Sequence, residues 1–248
     1  MLGVRIQAPF ATFRRSTSNF TARTYRHPSP MTMLGVLMSA LGIGEDGSTT
    51  DERKAFVGTD MGITMLGPPP RIETFLVRQF FHVFDMWKAD GSINRPSEVT
   101  IRKRKNTRYF SRSDSFSPTR IEHLVDPDII VWLDEHGELA EMLAEAFETN
   151  FANVDRFGAL SLGNSNCIVD RLDLVREVPC QRDGRPIEGI VLRPGDDGRH
   201  TLPVWIPRRK NSRVYESSDQ ISYQRFSEER IESGFVPGEE HLFSIGPN

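Results

Sequence analysis

The sequence DIIVWL at Asp128–Leu133 and the sequence ELAEMLAEAFE at Glu138–Glu148, separated by four residues, decide the fold of this chain. The first stretch has five consecutive apolar residues between two aspartates, which is typical of a strand buried on both faces. The second stretch places its apolar residues at helical spacing, which predicts an amphipathic helix. Its inner face is formed by Leu139, Met142, Leu143, Ala146 and Phe147. A strand covered by such a helix points to a domain of mixed α and β structure.

A second strand and helix pair opens the chain. Residues 2–8 alternate apolar and polar side chains, as a half-buried strand does. Residues 31–43 are predicted to form a helix, because one face collects Leu34, Leu37, Met38 and Leu41. Ser29 or Thr32 is a candidate cap at the start of this helix, and Gly42 suits its end.

The remaining elements complete the order that defines the fold class. Residues 55–66 and 72–84 are predicted strands, and residues 167–178 are predicted to be the last strand of the core. Residues 85–120 are polar, basic and rich in turn formers, which indicates an insertion that projects from the sheet. The resulting order is strand, helix, strand, insertion, strand, helix, strand. It predicts an α+β fold, namely a ferredoxin-like (RNA-recognition-type) sandwich built on a split βαβ arrangement.

Domain boundaries follow from the same order of elements. Residues 1–178 are predicted to form the ferredoxin-like core, with the basic insertion at about 85–120. Residues 179–248 have many turn signals and scattered short strand patterns, which predicts a β-rich C-terminal extension.

Charge is divided unevenly between the two halves of the sequence. Residues 1–125 carry 18 Lys and Arg against 11 Asp and Glu, a net charge of +7. Residues 126–248 carry 13 against 23, a net charge of −10. A polyanion such as a nucleic acid can therefore bind the first half, although uneven charge is also common in proteins without such a ligand.

Cysteine usage and hydropathy limit the other classes of function. The two cysteines form no CxxC pair, and the six histidines show no local ligand spacing, so neither a metal site nor any other cofactor is expected. No apolar stretch is long enough to cross a bilayer, and the start of the chain lacks the pattern of a secretory signal. We expect a soluble cytoplasmic protein without a membrane partner.

Three polar segments are candidates for RNA binding. The first offers guanidinium groups for phosphate oxygens and a tyrosine ring for a base, through Arg14, Arg15, Ser16, Asn19, Arg23, Tyr25, Arg26 and His27. The second mixes basic and aromatic residues as single-stranded nucleic acid requires, at Arg102, Lys103, Arg104, Lys105, Arg108 and Tyr109. The third is a glycine turn with small polar neighbours, Gly163, Asn164 and Ser165. For each segment a purely structural role, as a solvated loop or a tight turn, stays open.

Catalytic residue sets are sparse. The sequence contains no HExxH pair and no GxSxG elbow, and neither cysteine stands in the context of a nucleophile. Asp126 and Asp128 flank Pro127, but carboxylates at such a position are more often turn formers than acids and bases. The sequence predicts no catalytic residue and no enzyme.

Several stretches resemble CRISPR-associated protein family five, part of the repeat-associated mysterious protein superfamily. The resemblance is carried by residues 4–14 (VRIQAPFATFR), 28–37 (PSPMTMLGVL) and 40–43 (ALGI). It returns at residues 118–127 (PTRIEHLVDP) and 160–167 (LSLGNSNC). The order and spacing of these stretches make the resemblance more specific than any single motif.

The resemblance implies a ferredoxin-like core and a non-catalytic subunit of a type I CRISPR surveillance complex, Cascade. Such a subunit binds and caps the five-prime handle of the crRNA, contacts the backbone and large subunits, and meets target DNA only through the complex. The basic insertion would correspond to the family's thumb, and Thr32 would lie at a helix entrance facing the RNA. Asn164 and Asn166 stand where the family has Arg and Glu, so this chain departs from the family at those two charged positions.

Two alternatives accompany this expectation. One branch of the family is a metal-independent endoribonuclease that processes precursor crRNA with a tyrosine and a Lys-His pair. This chain has no Lys-His dipeptide, but Tyr25, His27 and Lys105 offer the residue types for such acid/base chemistry. The other alternative is a general ferredoxin-like RNA-binding protein outside any CRISPR system.

Overall fold

The computed structural model describes residues 1–17, 21–43, 56–80, 86–87, 93–94, 116–155, 158–163, 166–181, 184–205 and 221–246. Contacts within the chain define two compact units. The first unit comprises Met1–Phe13, Tyr25–Ile72 and Leu124–Asn248, and the second comprises Arg14–Thr24 and Glu73–His123.

Strands dominate the described residues, and only two α-helices are found among them. The strands are β1 (Leu2–Gln7), β2 (Phe10–Ala11), β3 (Arg14–Thr17), β4 (Thr21–Thr24), β5 (Asp60–Leu66), β6 (Arg71–Phe80), β7 (Met86–Trp87), β8 (Ile93–Asn94), β9 (Phe116–Val125), β10 (Asp128–Leu133), β11 (Arg171–Val175), β12 (Gly189–Pro194), β13 (His200–Trp205), β14 (Ser222–Ile231) and β15 (Phe243–Ser244). The helices are α1 (Pro30–Ala40) and α2 (Glu138–Glu148). This is a mixed, sheet-rich fold with few helices.

The first unit is built on an antiparallel sheet whose central order is β11-β1-β10-β5. β1 pairs with β10 and β11, and β10 pairs with β5. β1 and β5 therefore run parallel to each other, with β10 between them and α1 in their connection. β10 and β11 are likewise parallel, with β1 between them and α2 in their connection. Each βαβ unit is thus split by one strand of the other.

The central strand β10 is buried on both faces, as its apolar run predicts. Ile129, Val131 and Leu133 face a core that also contains side chains of α1 and α2. Ile130 and Trp132 face a smaller apolar cluster on the other side of the sheet. The Trp132 indole nitrogen donates a hydrogen bond of 2.9 Å to the buried hydroxyl of Thr64, so its burial leaves no polar atom unsatisfied.

The predicted helices are present, with small shifts at their ends. α1 begins one residue earlier than predicted, and its N-cap Ser29 accepts a hydrogen bond of 3.2 Å from the backbone N–H of Thr32. Its regular part ends at Ala40, because Gly42 takes a left-handed φ of 72° and turns the chain. α2 has the predicted bounds and buries Leu139 and Leu143.

Residues 179–248 continue the sheet of the first unit. β12 pairs with β5, β14 pairs with β12, and β13 pairs with β14. β15 pairs with the first residues of β5. The predicted division between residues 178 and 179 therefore separates neither two sheets nor two compact units.

The second unit differs from the predicted insertion in its extent. It starts at Glu73 rather than near residue 85, and it also includes Arg14–Thr24. The predicted core strand at 72–84 corresponds to β6, which pairs with β9 and not with the central sheet. An apolar pattern indicates that a segment forms a strand, but it does not determine which strand that segment pairs with. The sequence therefore predicted the strand correctly and assigned it to the wrong sheet. Most of the basic tract at 85–120 lies outside the described residues.

No helix within the described ranges is both long and apolar enough to cross a membrane.

Candidate functional site

Exposed arginines lie on the β3–β4 hairpin of the second unit. The polar segment that contains them was predicted as an RNA-binding or a solvated loop, and the structure forms two paired strands there instead, at residues 14–17 and 21–24. Arg14 and Arg15 are exposed on β3, and Arg23 is exposed on β4. Ser16 is the cross-strand partner of Arg23, whereas Asn19 lies outside the described residues.

β9 adds a fourth exposed arginine to this hairpin. β4 runs parallel to β9, and Arg120 of β9 is the partner of Thr21. Because side chains alternate along a strand, Arg23 lies on the same face as Arg120, two residues further along. The backbone N–H of Thr24 donates a hydrogen bond of 3.0 Å to the Glu122 carboxylate, which holds the end of β4 to β9. We call Arg14, Arg15, Arg23 and Arg120 the hairpin arginines.

The segment that follows the hairpin belongs to the first unit and is more buried than predicted. Arg26 is exposed, but Tyr25 is only partly exposed and packs against the main core. The backbone N–H of Tyr25 donates to the carbonyl of Phe13 at 2.7 Å. His27 is buried, so its imidazole is not on an RNA-facing loop as predicted. The Thr32 hydroxyl lies 2.8 Å from the Ser29 hydroxyl and takes part in capping α1.

Gly163 has a structural requirement within the chain itself. Its φ of 88° lies in the left-handed region that favours glycine. A Cβ at this position would overlap the carbonyl oxygen of Thr12, whose backbone N–H donates to the Leu162 carbonyl at 3.2 Å. The close approach that the glycine permits is to the protein's own backbone. Asn164 and Ser165, and the tract with Arg102, Lys103, Arg104, Lys105, Arg108 and Tyr109, lie outside the described residues.

The carboxylate of Asp128 is engaged in holding two strands together. The Arg5 guanidinium donates to both of its oxygens, at 2.9 and 2.5 Å, and the Gln7 amide donates to one of them at 2.9 Å. The hydrogen bond to Asp128 raises the pKa of Arg5. The nearby Asp126 has a positive φ of 52°, as a turn residue does. These contacts agree with the structural interpretation of the two aspartates.

His27, His200 and Glu228 form a cluster that no local spacing in the sequence indicates. The Nε2 atom of His27 lies 2.9 Å from Oε1 of Glu228, and the Nε2 atom of His200 lies 3.0 Å from the same oxygen. The two imidazole rings meet edge to face, with centroids 4.5 Å apart. One ligand atom from each residue lies within 4.8 Å of the other two, so these three side chains have the separations needed to hold a metal ion.

Burial governs the charge of His27. It lowers the pKa of the imidazole to about 4, and the neighbouring His200 acts in the same direction. The Glu228 carboxylate acts in the opposite direction but does not compensate. His27 is therefore a neutral imidazole at neutral pH.

Comparison with known proteins finds a similar CRISPR-associated protein. No protein-family model matches the chain. A CRISPR-associated protein Cas5 from Myxococcus xanthus (strain DK1622) is 22% identical over 212 residues, which cover 83% of this chain and 83% of that protein. The chain is therefore similar to a Cas5 protein over most of its length.

The fold of this chain is found again in a solved structure. A chain of a CRISPR RNA-guided surveillance complex superimposes with a TM-score of 0.56, covering 96% of this chain and 95% of that one. Their sequences are 14% identical, so the likeness is one of fold. Because it covers 96% of this chain, it includes most of the C-terminal region at residues 179–248.

The sequence did not indicate three residues of these two sites, Arg120, His200 and Glu228. Arg120 lies inside one of the stretches that carry the family resemblance, so that stretch could have indicated Arg120 as a candidate for RNA binding. His200 and Glu228 stand in a region of short strands and turn formers without a recognisable motif. Only the pairing of β13 with β14, and the approach of His27, brings them together.

Proposed function

We propose that this chain is a Cas5-type, non-catalytic subunit of a CRISPR surveillance complex and binds the five-prime handle of the crRNA. Its partners would be the crRNA, the backbone subunit and the large subunit, with target DNA reached only through the complex. The observation that carries the proposal is the Cas5 relative over 83% of the chain, supported by the fold shared with a surveillance-complex chain. The interleaved four-stranded order supports a ferredoxin-like core for this subunit.

The hairpin arginines supply the chemistry that RNA binding needs. Guanidinium groups form paired hydrogen bonds with phosphate oxygens, and they are exposed here on neighbouring strands. Arg26 offers a further exposed guanidinium in the first unit. Phosphate contacts of this kind hold the RNA in position, whereas contacts to base edges recognise its sequence.

The first test removes three charges from the hairpin. We expect Arg14→Ala, Arg15→Ala and Arg23→Ala, combined in one protein, to weaken binding of crRNA by about tenfold or more. The slope of log affinity against log salt should become shallower by about 2, because three phosphate contacts to a single strand are lost. Both quantities are measured by filter binding between low and moderate salt.

A matched variant controls for overall charge. Arg193→Ala, Arg225→Ala and Arg230→Ala remove the same number of exposed charges from β12 and β14. This control should retain the affinity and the salt slope. Equal weakening by both triple variants would contradict a specific role for the hairpin. Equal binding of crRNA and of an RNA of the same length without the repeat-derived segment would contradict handle recognition.

The second test concerns catalysis. The endoribonuclease alternative needs His27 as an acid or base, but that imidazole is buried, and its Nδ1 atom lies 3.2 Å from the sulfur of Met65. We expect labelled repeat RNA to stay intact on a denaturing gel after incubation with the purified protein, with or without divalent metal. Specific cleavage within the repeat that Tyr25→Phe abolishes would contradict a non-catalytic role.

A further inference from the structure

The three side chains of the histidine–glutamate cluster come from three separate segments of the first unit. His27 precedes the N-cap of α1, His200 is the first residue of β13, and Glu228 lies in β14. His200 pairs with Phe226, so the alternation of β14 places His200 and Glu228 on one face of the sheet. Phe226 and Leu192, the cross-strand partner of Glu228, both belong to the main core. A carboxylate thus lies on the apolar side of the sheet, near its edge.

The Nε2 atom of His27 is buried and has no hydrogen-bond partner. Oε1 of Glu228 is only 2.9 Å away, but it lies outside the direction in which an N–H at Nε2 would point. On the opposite side of the ring, Nδ1 faces the Met65 sulfur at 3.2 Å. Sulfur and carboxylate are both acceptors, whereas a neutral imidazole has a single proton.

Neither neutral tautomer of His27 satisfies both ring nitrogens. A proton on Nδ1 points at the sulfur and leaves the lone pair of Nε2 beside the carboxylate. A proton on Nε2 makes no directed hydrogen bond and leaves the lone pair of Nδ1 beside the sulfur. A cation held by Nε2 resolves the conflict, because it accepts the lone pair of Nε2 and attracts the carboxylate, while Nδ1–H donates to Met65.

We propose that His27, His200 and Glu228 form a binding site for a divalent transition metal ion, with Zn²⁺ as the best match. Two imidazoles and one carboxylate are a recurrent zinc ligand set, which leaves the fourth position to water. Imidazole ligands disfavour Mg²⁺ and Ca²⁺, which prefer oxygen. Ligand atoms around a tetrahedral Zn²⁺ are about 3.3 Å apart. The 2.9 and 3.0 Å contacts of the Glu228 oxygen therefore have to open slightly, and the two imidazole nitrogens, which lie within 4.8 Å of each other, have to settle at the same spacing.

The exposure of the three ligands suits such a site. The side chain of His27 is 4% exposed and forms the inner wall, whereas those of His200 and Glu228 are 30% and 42% exposed. An ion can therefore enter from solvent and keep a water molecule on its outer side. The bound ion links the entrance of α1 to the β13–β14 pair. Its role is to stabilise the C-terminal strands, independently of RNA binding.

The direct test is a metal titration of the full-length protein after treatment with EDTA and dialysis. Calorimetry with Zn²⁺ should give one ion per chain, and Co²⁺ should give the visible absorption of a four-coordinate site. His200→Ala and Glu228→Gln should each lower the affinity on the order of 100-fold, since each removes one of three ligands. The matched control is His136→Ala. The side chain of His136 is 86% exposed, and it also lies beside a carboxylate, that of Glu135. This control should leave the affinity unchanged.

A stability measurement distinguishes metal binding from a purely structural role. At free Zn²⁺ about 100 times the dissociation constant, the melting temperature of the wild type should rise by about 5–10 °C. Without Zn²⁺ the two variants should show wild-type circular dichroism, and the same concentration of Zn²⁺ should raise their melting temperatures by only about 1–2 °C. Zn²⁺ affinity retained in both variants, no Zn²⁺ binding by the wild type, or an equal response to Mg²⁺ would overturn the proposal.

Discussion

Gly163 illustrates how the three-dimensional structure changes the interpretation of a single residue. From the sequence, this glycine is a candidate for close approach to RNA. In the structure its hydrogen atom faces the Thr12 carbonyl, and its φ of 88° is strained for any other residue. The sequence thus indicates correctly that a glycine is needed, but the group that approaches it belongs to the protein.

Substitution of Gly163 should therefore reduce stability. We expect Gly163→Ala to lower the free energy of unfolding by about 2–4 kcal/mol, through left-handed strain together with displacement of the Thr12 carbonyl. The matched control is Gly158→Ala, because Gly158 has a φ of 87° but no atom within 4 Å of an added Cβ. It should cost only the strain, about 1–2 kcal/mol.

Urea denaturation of the two variants gives this comparison directly. Equal losses would show that the contact with Thr12 contributes nothing. A loss of crRNA binding by Gly163→Ala with unchanged stability would instead show that this turn contacts the RNA.

At the level of elements, the local sequence pattern predicts where a strand or helix lies, but it does not predict which strand pairs with which. β1, β10, α1 and α2 lie close to where periodicity predicts them, because the alternation of buried side chains is a local property. β6 is also found where a strand was predicted, yet it belongs to another sheet. The C-terminal strands were predicted only as scattered and short, but they extend the central sheet beyond β5.

Two deletions should therefore have opposite effects. Deleting residues 98–112 should leave the first unit folded, because that tract belongs to the second unit. Its melting temperature should stay within about 4 °C of the wild type, while crRNA binding is impaired. Ending the chain after residue 178 should abolish cooperative melting. That truncation removes β12 from the edge of β5, together with the buried residues Val191, Leu192, Leu202, Val204, Phe226, Phe243 and Ile245.

Circular dichroism melts of both proteins test this pair of expectations. Loss of the folded core in the variant that lacks residues 98–112 would show that this tract is needed for folding. Cooperative unfolding of residues 1–178 would make the C-terminal strands an independent extension, as the sequence suggested.

On the scale of the whole molecule, the order and spacing of the motifs carry the family resemblance, and the Cas5 relative of 22% identity agrees with it. The positive charge of residues 1–125 includes all four hairpin arginines and Arg26. The same composition gave no indication of the histidine–glutamate cluster, since His200 and Glu228 belong to the acidic half. Net charge describes a long-range field, whereas a metal site depends on a few atoms at fixed distances.

The sequence by itself determined the helices, the buried central strand and the resemblance to Cas5, because each depends on residues that are neighbours along the chain. The tertiary structure alone decided that β6 leaves the central sheet and that β12 joins it. It alone brought His27 to His200 and Glu228 from the far end of the chain. The physical reason is that a strand can satisfy its backbone hydrogen bonds with many partners. The burial of all the apolar faces together selects one of them, and no single stretch of sequence contains that information.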